Sequence, residues 1–164
     1  MAKKAKHFDY PAEHSVGQQV RWAHRALQRE LEEQIKPYGI TTGMWWFLRA
    51  LWEEDGLTQR ELSDRVGTTE PTTVSALHAM EKRGLVVRVQ NTSDRRKSNI
   101  RLTEPARELR DLLLPHARDV NKVATAGIPA SEIATLKRTL TKMRANLAAA
   151  QERRQRAKLS PTGK

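Results

Sequence analysis

The chain has 164 residues, 38% hydrophobic and 30% charged, with 30 Lys and Arg against 19 Asp and Glu for a formal net charge of +11. That length fits one domain with appendages, and the lack of cysteine excludes disulfides, thiolate nucleophiles, thiol redox sensing and Cys-based zinc sites. No apolar core opens the N-terminus and no long apolar run follows, so neither a secretory signal nor a membrane span is expected, and a cytoplasmic location is. Residues 1–6 carry three of the net charges and residues 152–164 a net four, which leaves four for the body. Basic tails alone say little about partners, so what matters is whether the body gathers cations at a motif.

In chain order, Val16, Val20, Ala23, Leu27, Leu31 and Ile35 keep helical spacing, and the run KPYG stops that helix. Residues 41–54 form a second helix holding Trp45, Trp46, Phe47 and Trp52, half of the aromatic residues in the chain. Apolar on most of its circumference, it is expected to be a central layer, with Trp45 and Trp52 on one flank and Trp46 on the far side. Thr58 and Glu61 form a capping box for a short helix over 59–66, and Gly67 turns the chain. Thr69 caps the next helix, Pro71 lies in its first turn and Gly84 stops it. Val74, Leu77 and Met80 are read as its buried face.

LVVRV and NIRLT then alternate as strands around the polar loop QNTSDRRKS. Two short helices across a tight turn, followed by a hairpin with a basic loop, read as a winged helix-turn-helix. Thr103 caps a further helix bearing Ala106, Leu109, Leu113, Val120 and Val123, with Pro115 expected to bend it. In the last helix Ile133, Leu136, Leu140, Met143 and Leu147 step by alternating threes and fours, a coiled-coil-like seam that needs a partner. The fold class is thus mainly α with a small β-hairpin wing, and the tail after about residue 155 is expected to be disordered.

The outer face of the helix after Thr69 offers hydroxyls near its start and cations near its end. That pattern suits major-groove insertion: hydroxyls accept or donate to bases and phosphates, and cations neutralise phosphates. The candidate DNA contacts are Thr58, Gln59, Thr69, Thr72, Thr73, Ser75, His78 and Lys82, with Arg95, Arg96 and Lys97 of the wing. Arg96 would enter the minor groove, with Asp94 organising the wing and holding that side chain. No Ser/His/Asp spacing, Gly-rich phosphate loop or paired carboxylate frame is present, and the five His are scattered. Neither an enzyme, a cofactor nor a metal is expected.

SDRRKSNIRLT resembles the wing signature of the MarR (multiple antibiotic resistance regulator) family, through Asp94, Arg96, Ile100, Leu102 and Thr103. LTQRELSDRVGTTEPTTVSALHAMEKRGLVVR is similar to that family's helix-turn-helix, and the resemblance covers roughly residues 15–155. Ala106 stands where the family often has Gly, and alanine is the better helix former of the two. The resemblance implies a homodimeric bacterial repressor, or sometimes an activator, associated with the nucleoid. It would have a basic flexible arm over 1–14, a helical dimerisation region over 15–37 and 103–155, a winged helix-turn-helix lobe over 38–102 and a disordered basic tail over 156–164.

Val16, Val20, Leu113, Val120, Ile133, Leu136, Leu140, Met143 and Leu147 would form the dimer interface. Two winged helices would then read a pseudo-palindrome in double-stranded DNA, with half-sites about 34 Å apart. The resemblance also implies a small effector, an aromatic acid or its coenzyme A thioester, between the dimerisation helices and the lobe. Trp22, His24, Trp46, Arg49 and His116 are its candidate contacts. The alternatives are a ligand-independent architectural DNA-binding protein, and an interaction module whose basic face meets an acidic protein.

Overall fold

Ser15 starts the first helix by accepting a bond from the Gln18 amide, and α1 then runs Val16–Ile35. The computed structural model describes residues 11–94 and 96–159 and divides the chain into two compact units, residues 1–122 and 123–164. In the first unit α1 is followed by a 3-10 turn, Lys36–Tyr38, and Gly39 at φ 69°. Thr41 caps α2 (Thr42–Glu53) through the Met44 amide at 3.2 Å. The strand β1 (Leu57–Thr58) leads into α3 (Gln59–Val66), and α4 covers Glu70–Lys82. The wing strands are β2 (Val86–Gln90) and β3 (Ser98–Leu102), and α5 spans Glu104–Ala124, continuing through Pro115.

The helix-rich chain with a small antiparallel sheet has the expected fold class, with one strand more than expected. β3 pairs on one side with β2, Val86 opposite Leu102, and on the other with β1, Leu57 opposite Ile100. A two-residue strand shows no alternation, so the sequence gives no sign of β1 beside the cap at Thr58.

α2 is the central layer, with Thr42, Met44, Trp45, Phe47, Leu48, Ala50 and Leu51 all buried. Trp45 and Trp52 meet edge to face at 5.7 Å, and the Trp52 indole donates to the Ala106 carbonyl at 2.8 Å. That bond satisfies the one polar atom of a large apolar ring and fixes the start of α5 to the lobe. Leu62, Leu77, Met80, Ile100 and Leu113 complete the core, all fully buried.

The buried face of α4 is Thr73, Leu77 and Met80, with Val74 turned outward. The expected face is thus wrong by one residue. Thr73 donates its hydroxyl to the Thr69 carbonyl at 3.1 Å, so it enters the core with its polar group satisfied. On α5, Leu113 and Val120 pack into the core of the first unit, so neither is free for a second chain. The exposed apolar residues there are Leu112 and Val123.

In the second unit α6 runs Ala130–Leu159, so residues 156–159 are helix where disordered tail was expected. Ile133, Leu140 and Met143 are half-buried, whereas Leu136 and Leu147 are 53% and 67% exposed. At the other end residues 12–14 of the expected flexible arm form a 3-10 turn, and residues 1–10 lie outside the described residues. Among the described residues no helix is long and apolar enough to cross a membrane.

Candidate nucleic-acid interface

The helix-turn-helix is held by short-range hydrogen bonds that its sequence specifies. The Glu61 carboxylate accepts from the Thr58 amide at 2.8 Å and the Thr58 hydroxyl at 2.7 Å, while the Glu61 amide donates to Thr58 Oγ1. These bonds from Thr58, side chain first, hold the Glu61 carboxyl below its ordinary range. In the turn, Gly67 takes φ 73°, where a side chain would be strained, and the buried Ser63 hydroxyl donates to the Thr68 carbonyl at 3.0 Å. Thr69 then caps α4 through the Thr72 amide. With both helix starts pinned, the rotation of α4 about its axis is fixed.

That rotation presents Pro71, Thr72, Val74, Ser75, His78 and Lys82 outward, all exposed. Thr72 Oγ1 lies 2.8 Å from Thr69 Oγ1, and the Ser75 hydroxyl donates to the Pro71 carbonyl at 3.2 Å. Both oxygens keep lone pairs toward solvent. Thr73 leaves the set of candidate contacts because it is fully buried. Thr58 and Thr69 are half-buried and exposed caps, and Gln59 uses its side-chain oxygen to accept from Arg88 at 3.3 Å. Arg88, which also pairs with Glu81 at 2.9 Å, ties β2 to both α3 and α4. Its role was illegible in sequence, because it depends on strand and helices meeting.

The wing loop is built around two asparagines that the motif reading passed over. Asn91 Oδ1 accepts from the amides of Ser93 and Asp94, both at 2.9 Å, an Asx turn that an Asn two residues before Ser signals. Asn91 Nδ2 donates to Asn99 Oδ1 at 2.7 Å, and Asn99 Nδ2 to the Gly56 carbonyl at 2.6 Å. Asp94 organises the loop through main chain, accepting from the Arg96 amide at 3.0 Å, with Lys97 Nζ 3.8 Å from its other oxygen. The expected hold on the Arg96 side chain is thus a hold on its backbone. The side chains of Arg96 and Lys97 are exposed, while Arg95 lies outside the described residues.

Asp55 anchors the base of the wing by accepting from the Leu102 amide at 2.9 Å and pairing with Arg107 at 2.9 Å. Sequence reasoning missed it, since a lone Asp after a helix looks like any turn residue.

The expected effector contacts separate into four places. His24 and Trp46 stack with ring centroids 6.4 Å apart and planes 22° off parallel. Both line a cleft of about 430 Å³ with Gly43, Phe47, Val66, Thr68 and Thr72. His116 instead hydrogen-bonds Tyr38 Oη at 3.0 Å, and Arg49 pairs with Glu53 at 3.5 Å. Trp22 is exposed on α1. The cleft is thus mainly apolar, with hydroxyls and one imidazole as its polar groups.

A helix-turn-helix whose second helix turns hydroxyls, a histidine and a lysine outward, beside a cationic hairpin, defines a winged-helix protein of the DNA-binding kind. Residues 40–98 match the model of the MarR family, a family of transcription regulators, and solved members of that family share the fold of the longer chain. A MarR transcriptional regulator from Methanosarcina mazei Go1 superposes with a TM-score of 0.76 at 27% identity, over 82% of this chain and 97% of that one. A putative MarR family regulator from Listeria monocytogenes, solved with a 26mer DNA, gives 0.78 at 25% identity, over 83% and 91%. CouR from Rhodococcus jostii RHA1, solved with p-coumaroyl-CoA, shares the fold at 0.72 and 22% identity, over 81% and 94%. The family is one of transcription regulators rather than enzymes.

Proposed function

We propose that the chain is a homodimeric, sequence-specific repressor that binds a pseudo-palindromic operator and is released by a small aromatic effector. The observation that carries the DNA reading is the outward face of α4, with Thr72, Ser75, His78 and Lys82 exposed in one phase beside Arg96 and Lys97 of the wing. The Listeria relative solved on DNA makes a duplex the first partner to test.

Exposed apolar residues support the dimer: Val16, Val20, Trp22 and Leu27 on α1, Leu112 and Val123 on α5, and Leu136 and Leu147 on α6. Residues 15–37 and 103–155 then serve dimerisation and residues 38–102 DNA binding, in the cytoplasm on the nucleoid. The cleft beside His24 and Trp46 suits a planar aromatic ligand. The CoA thioester bound by the Rhodococcus protein makes aromatic acids and their thioesters the class to screen first. Release follows if the ligand favours a dimer whose α4 helices no longer match the half-site spacing, with a typical coupling of about 1–3 kcal/mol.

The test is DNA binding to the region upstream of the chain's own coding sequence, against scrambled competitor at about physiological salt, repeated with the ligand panel while tryptophan fluorescence is followed. A repressor prefers its site by at least ~10³, and one compound releases it with quenching. Equal affinity for every duplex, unaffected by any compound, would instead establish the architectural alternative. No tight binding to any duplex would leave an acidic protein as the partner of the basic face.

A further inference from the structure

Val74 is 46% exposed at the middle of the outward face of α4, on the turn between Pro71 and His78 and next to Ser75. Those four positions step by three, one and three, so they form a single patch on one side of the helix. The orientation is imposed rather than loose. Thr69 caps the helix start, Thr73 is locked to the Thr69 carbonyl, and Leu77 and Met80 fill the core behind. Rotating Val74 inward would expose those residues.

A β-branched side chain on a solvated helix face loses rotamer freedom and has lower helix propensity than a lysine or glutamate there. Half of Val74 also remains in water in the protomer. Its side chain has no donor or acceptor, so it cannot read a phosphate or a polar base edge. In the major groove the base edges present one apolar group, the methyl on C5 of a pyrimidine.

We propose that Val74 is a specificity-determining residue that packs on the C5-methyl of one thymine in each half-site, resting on the operator-binding reading above. The neighbouring Ser75 and His78 can bond more than one base type. The valine therefore supplies discrimination that those polar neighbours lack.

The experiment begins with selection of bound duplexes from a random library, followed by replacement of each thymine in the selected site by deoxyuridine, which deletes only the methyl. The wild-type protein is expected to lose about four-fold at one thymine per half-site, the fold-change equivalent to about 0.8 kcal/mol for one buried methyl group. Substituting both half-sites should multiply the loss to about fifteen-fold. Val74→Ala should bind thymine and uracil sites equally, near the wild-type affinity for the uracil site, while Val74→Ile keeps the uracil penalty. Circular dichroism melting of both variants verifies the fold.

No uracil penalty in the wild type, or an unchanged penalty in Val74→Ala, overturns the assignment while leaving operator binding intact. A gain at a cytosine replaced by 5-methylcytosine, without any uracil penalty, gives the methyl a different source and overturns the thymine assignment. If no sequence is enriched at all, the operator-binding reading fails first and the role of Val74 with it.

Discussion

α1 and α2 both carry long apolar stripes, and they use them in opposite ways. The twelve residues of α2 bury seven, whereas the twenty of α1 bury two, Leu31 and Ile35, both at its C-terminal end. Further back on α1, Val16 is 55% exposed. The winged-helix lobe thus finishes its core within one chain, while the first turns of α1 leave theirs unfinished. The same contrast recurs on α5, where Leu113 is covered and Leu112 is open to solvent. Within one chain, stability of the lobe and completion of the apolar surface are therefore separable properties, and mutations should separate them.

The largest effect belongs to the finished side. Leu77→Ala removes a fully buried side chain between α4 and the core and should cost about 2–5 kcal/mol in urea unfolding at fixed protein concentration. A loss below about 1 kcal/mol would mean that the lobe is not the cooperative core described here. On the unfinished side, the proposed dimer predicts that Val20→Asp with Leu136→Asp raises its dissociation constant at least a hundred-fold, about 3 kcal/mol, through uncompensated burial of charge. Sedimentation should then report monomers that retain helical circular dichroism. A variant that stays dimeric would place the contact elsewhere.

Smaller effects test the joints. Thr58→Ala deletes the α3 cap and should cost about 1 kcal/mol. It should also flatten the acid limb of stability. Because the folded Glu61 is held below its ordinary value of 4.5, its contribution is present above that pH and lost as pH falls through the lowered value. Unfolding midpoints of the two proteins should therefore converge at low pH. If the gap persists there unchanged, the capping box is not its source. Least of all, Trp46→Phe should change stability by under about 0.5 kcal/mol, since the residue is 42% exposed, while altering the fluorescence response to any ligand in the cleft.

Much of this architecture was legible in sequence because its determinants are local. The caps at Thr58 and Thr69 and the stops at Gly67 and Gly84 act over one helical turn, and the helix boundaries follow them. Two kinds of information were not local. Polarity stood in for burial on α4, yet a threonine that bonds the carbonyl four residues back can be buried, so Thr73 and Val74 exchanged places. An apolar stripe also does not say whether the same chain or a second one covers it, so the stripe on α5 fits an interface as well as the core that Leu113 and Val120 join. Asp55, Arg88 and Asn99 were invisible for a related reason. Each joins segments distant in sequence, so its importance exists only once they meet.

The asparagine pair also has a mechanical side. Asn91 holds the wing loop, Asn99 passes that hold to Gly56, and Asp55 clamps β3 and α5 beside it, all at the C-terminal end of α2. The hinge that a hairpin ordinarily keeps at its base is thereby latched. Wing and central helix should turn as one lever arm, with the exposed cations of Arg96 and Lys97 at the far end. A tilt of a few degrees would then swing those cations along a phosphate groove instead of letting the hairpin flap independently.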